Sequence, residues 1–376
     1  MPRRLTLAAT VALLTVLPVA ADTLSLSPHP FRLFDMEERL SAGVDLADAD
    51  GDGDLDVFLA NGRHWAQPDF VYLNAGNGRL LTSRRIGTEN GPSYVIRAGD
   101  LNGDSHVDAV VVRDSVPAQA FLNDGEANFT FSQDLPGSDG PARNAILTDL
   151  TGDGVLDLVT VQRRGGALLF AGLGDGTFVA PVQLPGELFG STGVAVADFN
   201  RDGRKDLVVS CRDGGPSYIL FNMGSEGWVA EALEGSEGDH RQVVVGDFNR
   251  DSSTDIVLGS TDGEMHLLLG DGSGNFTPGQ PFGEAGRVTQ SLATADFDGD
   301  GDLDIFEGAV EQNNRLYIND GRGRFTPITI EDEAGDTYGI AVGDMNGDGR
   351  PDVVLANSGS ANAVLITQLE SDDEGE

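Results

Sequence analysis

Apolar and polar positions alternate with a period of two in short runs along the chain, and the runs stop at clusters rich in aspartate, asparagine and glycine. Val44 and Leu46, Ile96 and Ala98, Val194 and Val196, Val243 and Val245, and Ile340 and Val342 each lie four and two positions ahead of an aspartate. That spacing predicts half-buried β-strands, because successive side chains of a strand point to opposite faces. A second run follows each acidic cluster, as at 207–210 and 353–356, and a third comes after a loop, as at 70–74, 218–222 and 316–319. A glycine-rich turn then leads to a bulky residue that opens a fourth strand: Leu80, Phe129, Phe178, Trp228, Phe276 or Phe325. These residues are read as packing between sheets.

The acidic clusters are copies of one nine-residue unit, D-x-[DNT]-x-D-x-x-x-D. It begins at Asp48, Asp100, Asp149, Asp198, Asp247, Asp296 and Asp344, at intervals of 52, 49, 49, 49, 49 and 48 residues. Four strands per repeat of this length predict an all-β, seven-bladed β-propeller. The residue just before each unit is small (Ala47, Gly99, Thr148, Ala197, Gly246, Ala295, Gly343), which is read as crowding of equivalent strands around a narrow axis. The seventh repeat ends after a third strand at 362–367. The segment 28–34 precedes the first unit, with Phe31 17 residues ahead of Asp48, close to the spacing of the other bulky residues. An N-terminal strand is therefore expected to complete the C-terminal blade, close the ring and cover its edges.

Positions 1, 3, 5 and 9 of each unit offer oxygen ligands, and position 7 a backbone carbonyl. The sets are Asp48, Asp50, Asp52 and Asp56; Asp100, Asn102, Asp104 and Asp108; Asp149, Thr151, Asp153 and Asp157; Asp198, Asn200, Asp202 and Asp206. Asp247, Asn249, Asp251 and Asp255; Asp296, Asp298, Asp300 and Asp304; and Asp344, Asn346, Asp348 and Asp352 complete the seven. Oxygen donors without His or Cys suit Ca2+, whose flexible shell of about six to eight ligands tolerates such a loop. Two carboxylates about 5 Å apart repel by about 3 kcal/mol at an effective dielectric near 20, so three or four in one hairpin call for a cation. An EF-hand loop would place a glutamate at position 12, but six copies carry Leu59, Val111, Thr160, Val209, Leu258 and Leu355 there. Glu307, at that place in the sixth, is read as coincidence.

Segments such as VAVADFNRDG (194–203) and LYINDGRGRF (316–325) resemble the FG-GAP/VCBS repeat, the calcium-loop propeller blade also found in integrin α subunits. The resemblance covers about residues 31–367 and recurs seven times in register. It implies up to seven Ca2+ ions and, for many secreted members, an adhesion or recognition role. Ser105 and Ser252 stand where the turn favours glycine, and Thr151 is a poorer third ligand, so those three sites are expected to bind more weakly.

Composition sharpens this picture. Asp and Glu number 61 against 24 Lys and Arg, a formal charge of −37, which speaks against nucleic acid or an anionic membrane as partner. Residues 1–21 read as a secretory signal, with basic Arg3 and Arg4, an apolar stretch at 5–17, and Val19 and Ala21 before the cleavage point. A secreted or periplasmic location follows as an expectation, with no membrane span, a propeller at 22–368 and an acidic, disordered tail at 369–376. Cys211 is the only cysteine, so an intrachain disulfide is excluded, and it ends an apolar run where a buried small hydrophobe fits.

No phosphate loop, zinc spacing or nucleophile elbow is present. His29, His64, His106, His240 and His266 fall at unrelated repeat positions, and a non-enzymatic role is expected. The loops on the face opposite the acidic hairpins carry Arg63, His64, Trp65, Arg113, Arg143, Arg163, Arg164, Arg212 and Arg241. Two functions stay open: a monomeric recognition, adhesion or scaffold module for an extracellular protein or glycan, or a lyase or hydrolase acting on polysaccharide or lipid.

Overall fold

The computed structural model describes residues 23–370 apart from 262 and 332–334. The signal segment expected at 1–21 and residues 371–376 lie outside the described residues. Seven antiparallel sheets of four strands stand around one axis. In blade 1 the strands Ser41–Ala47, Asp56–Asn61, Gln67–Asn74 and Leu80–Gly91 pair in chain order, from the axis outward. The innermost strands of the other blades are Ser93–Gly99, Ala142–Thr148, Ser191–Ala197, His240–Gly246, Thr289–Ala295 and Asp336–Gly343. Each lies beside the next, and the last lies beside the first.

Second strands such as Asp56–Asn61, Asp108–Arg113 and Asp206–Cys211 are buried at every residue. That is why they read as continuous apolar runs: a sheet between two neighbouring sheets has no solvent face. The core lies between blades. Phe58 and Val71 of blade 1, for instance, share a cluster with Ile96 and Val111 of blade 2. The bulky residues opening fourth strands pack across these gaps as expected, with Phe129 edge-on to Phe58 at 5.8 Å, Phe276 to Phe199 at 5.7 Å and Phe325 to Phe248 at 5.9 Å.

The ring closes through the N-terminal strand, Thr23–Phe34, which pairs with Asn362–Glu370. Its register corrects the expectation for Phe31. Leu26 faces Thr367 and so takes the place that Phe325 takes opposite Asn319 in blade 6. Between Pro28 and Leu33 the strand advances five residues while its partner recedes from Leu365 to Ala363, so a bulge absorbs the extra length. The side chain of Phe31 lies outside the described residues. The third strand of blade 7 also runs on to Glu370, two residues into the expected tail.

The small residues ahead of the acidic units are crowded by the next innermost strand, as Gly99 is by Leu147 and Gly343 by Leu46, and more tightly by the next hairpin. A Cβ on Gly99 would meet Leu156 at 2.7 Å, one on Gly246 would meet Leu303 at 2.5 Å, and one on Gly343 would meet Leu55 at 2.6 Å. Each neighbour is position 8 of the next blade's unit. The small residue thus seats a side chain of the following hairpin, and Thr148 does so by accepting a hydrogen bond from Lys205 Nζ at 2.6 Å.

Candidate functional site

Each acidic unit is the hairpin joining a first strand to a second. The residue before position 1 pairs with position 9 across it, as Ala47 does with Asp56, Gly99 with Asp108 and Ala295 with Asp304. Backbone amides organise the aspartates. In blade 1, Asp48 accepts from Gly51 N at 2.8 Å and Gly53 N at 3.0 Å, and Asp52 accepts from Asp54 N at 3.0 Å. Asp56 accepts from Ala49 N and Asn74 N, both at 2.8 Å. Position 9 repeats this double acceptance in all seven blades through Asp108, Asp157, Asp206, Asp255, Asp304 and Asp352, each fully buried.

Side-chain oxygens of Asp48, Asp50 and Asp56 lie within 4.8 Å of one another, as do those of Asp296, Asp298 and Asp304, close enough to share one metal ion. In the other hairpins Asn102, Asn200, Asn249, Asn346 or Thr151 replaces the third-position carboxylate. The charge balance of these hairpins fits a bound cation. Burial, followed by the neighbouring carboxylates, pushes Asp56, Asp255 and Asp352 up to about 6 and Asp304 to about 7, and raises Asp108 and Asp206 in the same direction. Asp50 Oδ1 is buried without a hydrogen-bond partner. A divalent ion would supply the missing positive charge and use that lone pair.

Position 6 is left-handed throughout, with φ of 94° at Gly53, 71° at Ser105 and 67° at Ser252. The two serines therefore carry strain that glycine avoids. Position 4 adds a feature not read from the sequence: Arg201 and Arg250 are left-handed as well, at 58° and 60°. Both reach the next hairpin, Arg201 Nη2 donating to Ser253 Oγ at 3.2 Å and Arg250 Nη2 to the Asp300 carbonyl at 2.8 Å.

Position 7 contributes more than a backbone carbonyl. Asp54 and Asp302 add a fifth acid to the first and sixth hairpins, Asp302 being ion-paired with Arg250 of the preceding hairpin, whereas Arg204 pairs with Asp202, and Arg350 lies 3.8 Å from Asp348. Glu307 is no ligand. It is buried in the second strand of blade 6, where it pairs with Arg287 at 3.0 Å and accepts from Thr289 Oγ1 at 2.6 Å and the Tyr317 hydroxyl at 3.0 Å.

An asparagine closing the third strand ties hairpins of adjacent blades together. Asn123 Nδ2 donates to the Ala49 carbonyl of blade 1 at 2.7 Å and to Val107 of its own hairpin at 3.0 Å. Asn74 reaches Met345, Asn222 reaches Leu150 and Asn319 reaches Phe248 in the same way. The signal was present as an asparagine recurring at the end of the third apolar run.

The opposite face exposes Met36, Trp65 and Phe189 on loops between second and third or fourth and first strands, with exposed Arg163 and Arg164 among them. Arg113 is not part of this surface: it is buried and donates from Nε to the Pro117 carbonyl at 2.9 Å. His64 bridges Asp114 at 2.6 Å and the Tyr94 hydroxyl at 2.8 Å, and the rings of His240 and His266 lie 4.7 Å apart. Among the described residues no helix is long and apolar enough to cross a membrane.

A family model described as FG-GAP-like repeat matches residues 48–111, 100–160, 149–209, 247–307 and 308–355, more than half of the chain. No curated protein matches the sequence. Two solved structures of BBS1N in complex with ARL6DN, one soaked with mercury and one with lead, share the fold with TM-scores of 0.59 and 0.58. Both are 12% identical to the chain, cover 91% and 92% of it, and are themselves covered to 98%.

Proposed function

This chain belongs to the FG-GAP-like repeat family, and on that premise we propose that it is an exported, calcium-stabilised propeller that recognises an extracellular protein or glycan and catalyses no reaction. The calcium ions would sit in the seven hairpins, held by positions 1, 3, 5 and 9, and would act as staples in a chain without disulfides. The first and sixth hairpins, each with five acids, would bind most tightly. Those containing Ser105, Thr151 and Ser252 would bind more weakly.

The observation that carries the recognition reading is the exposure of Met36, Trp65 and Phe189 on the same face as exposed Arg163 and Arg164, the face that holds no acidic hairpin. Exposed aromatic and arginine side chains are the residue types that dominate binding energy at protein interfaces. A propeller of this architecture is found with a protein partner in the complex of BBS1N with ARL6DN, and a protein partner is the first expectation here.

The test is an array of secreted proteins and glycans probed with the chain at millimolar calcium, then with chelator. A W65A/R164A/F189A triple variant should melt like the parent and lose the ligand. Retention of full binding by the triple variant would retire this face as the recognition surface.

A further inference from the structure

The innermost strands converge on a cavity of about 340 Å³ at the end of the axis away from the acidic hairpins. Six arginines line it: Arg97, Arg143 and Arg241 from first strands, and Arg63, Arg163 and Arg212 from the turns after second strands. Among the described residues no aspartate or glutamate lines it. In a chain with 61 acidic and 24 basic residues, a quarter of the basic side chains share this one space.

Two of the six are neutralised from behind, Arg143 by Asp114 at 2.9 Å and Arg212 by Asp239 at 2.8 Å. The other four form no ion pair among the described residues. Arg97 donates to the carbonyls of Ala145 and Ile96 and to Asn144 Oδ1. Arg241 donates to Gln290 Oε1. Arg63 donates to Ser358 Oγ at 3.1 Å and lies over the Tyr338 ring at 3.7 Å. The Nε atoms of Arg63 and Arg241 are buried without a hydrogen-bond acceptor. Burial, then the charges of Arg212 and Arg163, pull the Arg241 guanidinium below its ordinary value. Gathered guanidinium groups with unused donors, turned inward, require an anion.

We propose that this axial cavity binds a small oxyanion carrying two or more carboxylate or phosphate groups. The volume suits a small molecule and is too small for a folded partner. Guanidinium forks match carboxylate and phosphate alike, and four unpaired ones exceed what a single carboxylate can satisfy. The proposal deepens the recognition reading, since it names a ligand for the same face, but its test needs no macromolecular partner.

Calorimetric titration of the calcium-loaded chain at about 0.15 M ionic strength would use tricarballylate as the carboxylate probe and fructose 1,6-bisphosphate as the phosphate probe, with acetate as the monovalent control. At least one multivalent probe should bind saturably, and acetate should not. R163Q should weaken that binding roughly tenfold, and R163Q/R241Q by a further factor of about ten. R84Q, which alters an exposed arginine on the outermost strand of blade 1 outside the cavity, should leave it unchanged. Arg163 is exposed, so R163Q alone decides the matter if the double variant unfolds early. Failure of both probes to bind, or equal binding by R163Q and R84Q, would overturn the proposal. Loss of the array ligand in the triple variant would still leave the recognition reading standing in that event.

Discussion

Asp69, the third residue of the third strand of blade 1, is buried, its Oδ1 accepting the Asn61 amide at 2.8 Å and its Oδ2 the Ser93 hydroxyl at 2.7 Å. Burial pushes its carboxyl up to about 7, with the two hydrogen bonds and Arg113 pulling the other way. Asn314 and Asn362 hold the same register position in blades 6 and 7 and accept the equivalent amides of Ala309 and Asn357. A neutral side chain thus does the structural work without an ionisation. Between about pH 4 and pH 7 the native state holds a proton that the unfolded chain has released, so stability falls as pH rises through that window. The variant D69N should remove this slope. In urea unfolding with calcium present, wild type should lose up to about 3 kcal/mol relative to D69N between pH 5 and pH 8. A difference between the two proteins that does not change with pH would refute the assignment.

The blade-to-blade bond of Asn123 links elements that the hydrophobic core already joins, and it also fixes Ala49, position 2 of the first hairpin. Replacing Asn123 with alanine strands two buried carbonyls, those of Ala49 and Val107, at a cost of about 1 to 3 kcal/mol. N123A should lower the urea midpoint by that amount and weaken calcium at the hairpin of blade 1, while the hairpin of blade 6 keeps its affinity. Equal loss at both hairpins would mean a general loosening of the ring. Strands, hairpins and the place of the aspartates within them were legible in the sequence because the same side chains recur at a fixed period. The asparagine bridge was not, since its partner is a backbone carbonyl about 75 residues away, and a carbonyl leaves no mark on residue type. Phe31 misled for a related reason: spacing counts residues and cannot see the bulge between Pro28 and Leu33 that moves Leu26 into its place. The arginine cavity was legible only in part. Arg63, Arg143, Arg163, Arg212 and Arg241 could be assigned to one face, but Arg97 sits mid-strand, and its turn toward the axis depends on the ring geometry.

A ring of seven sheets has no disulfide to hold it, and the single thiol, Cys211, is buried and pushed up to about 11 by that burial, which leaves it inert. Two devices remain at the scale of the molecule. The pairing of Thr23–Phe34 with Asn362–Glu370 joins the ends of the described chain and gives blade 7 the fourth, outermost strand that the other blades have. The acidic hairpins then set the electrostatic condition for keeping that ring shut. With their carboxylates facing one another and no cation, the hairpins repel internally, and seven of them on one face repel collectively. At millimolar calcium and affinities of about 0.1 to 1 mM, each proposed site would contribute about 0.4 to 1.4 kcal/mol, and seven sites about 3 to 10 kcal/mol. That sum is comparable to the whole stability of an ordinary domain. Chelation should therefore lower the melting temperature by about 4 to 14 degrees for a ring of this size, and added calcium should restore it in a graded way as the stronger first and sixth hairpins fill ahead of the others. Raising ionic strength in the absence of calcium should recover part of the loss, because salt screens the exposed carboxylates but cannot replace an ion bound between them. If the melting temperature is the same with and without chelator, the hairpins are not staples and the stability of the ring must come from inter-blade packing alone.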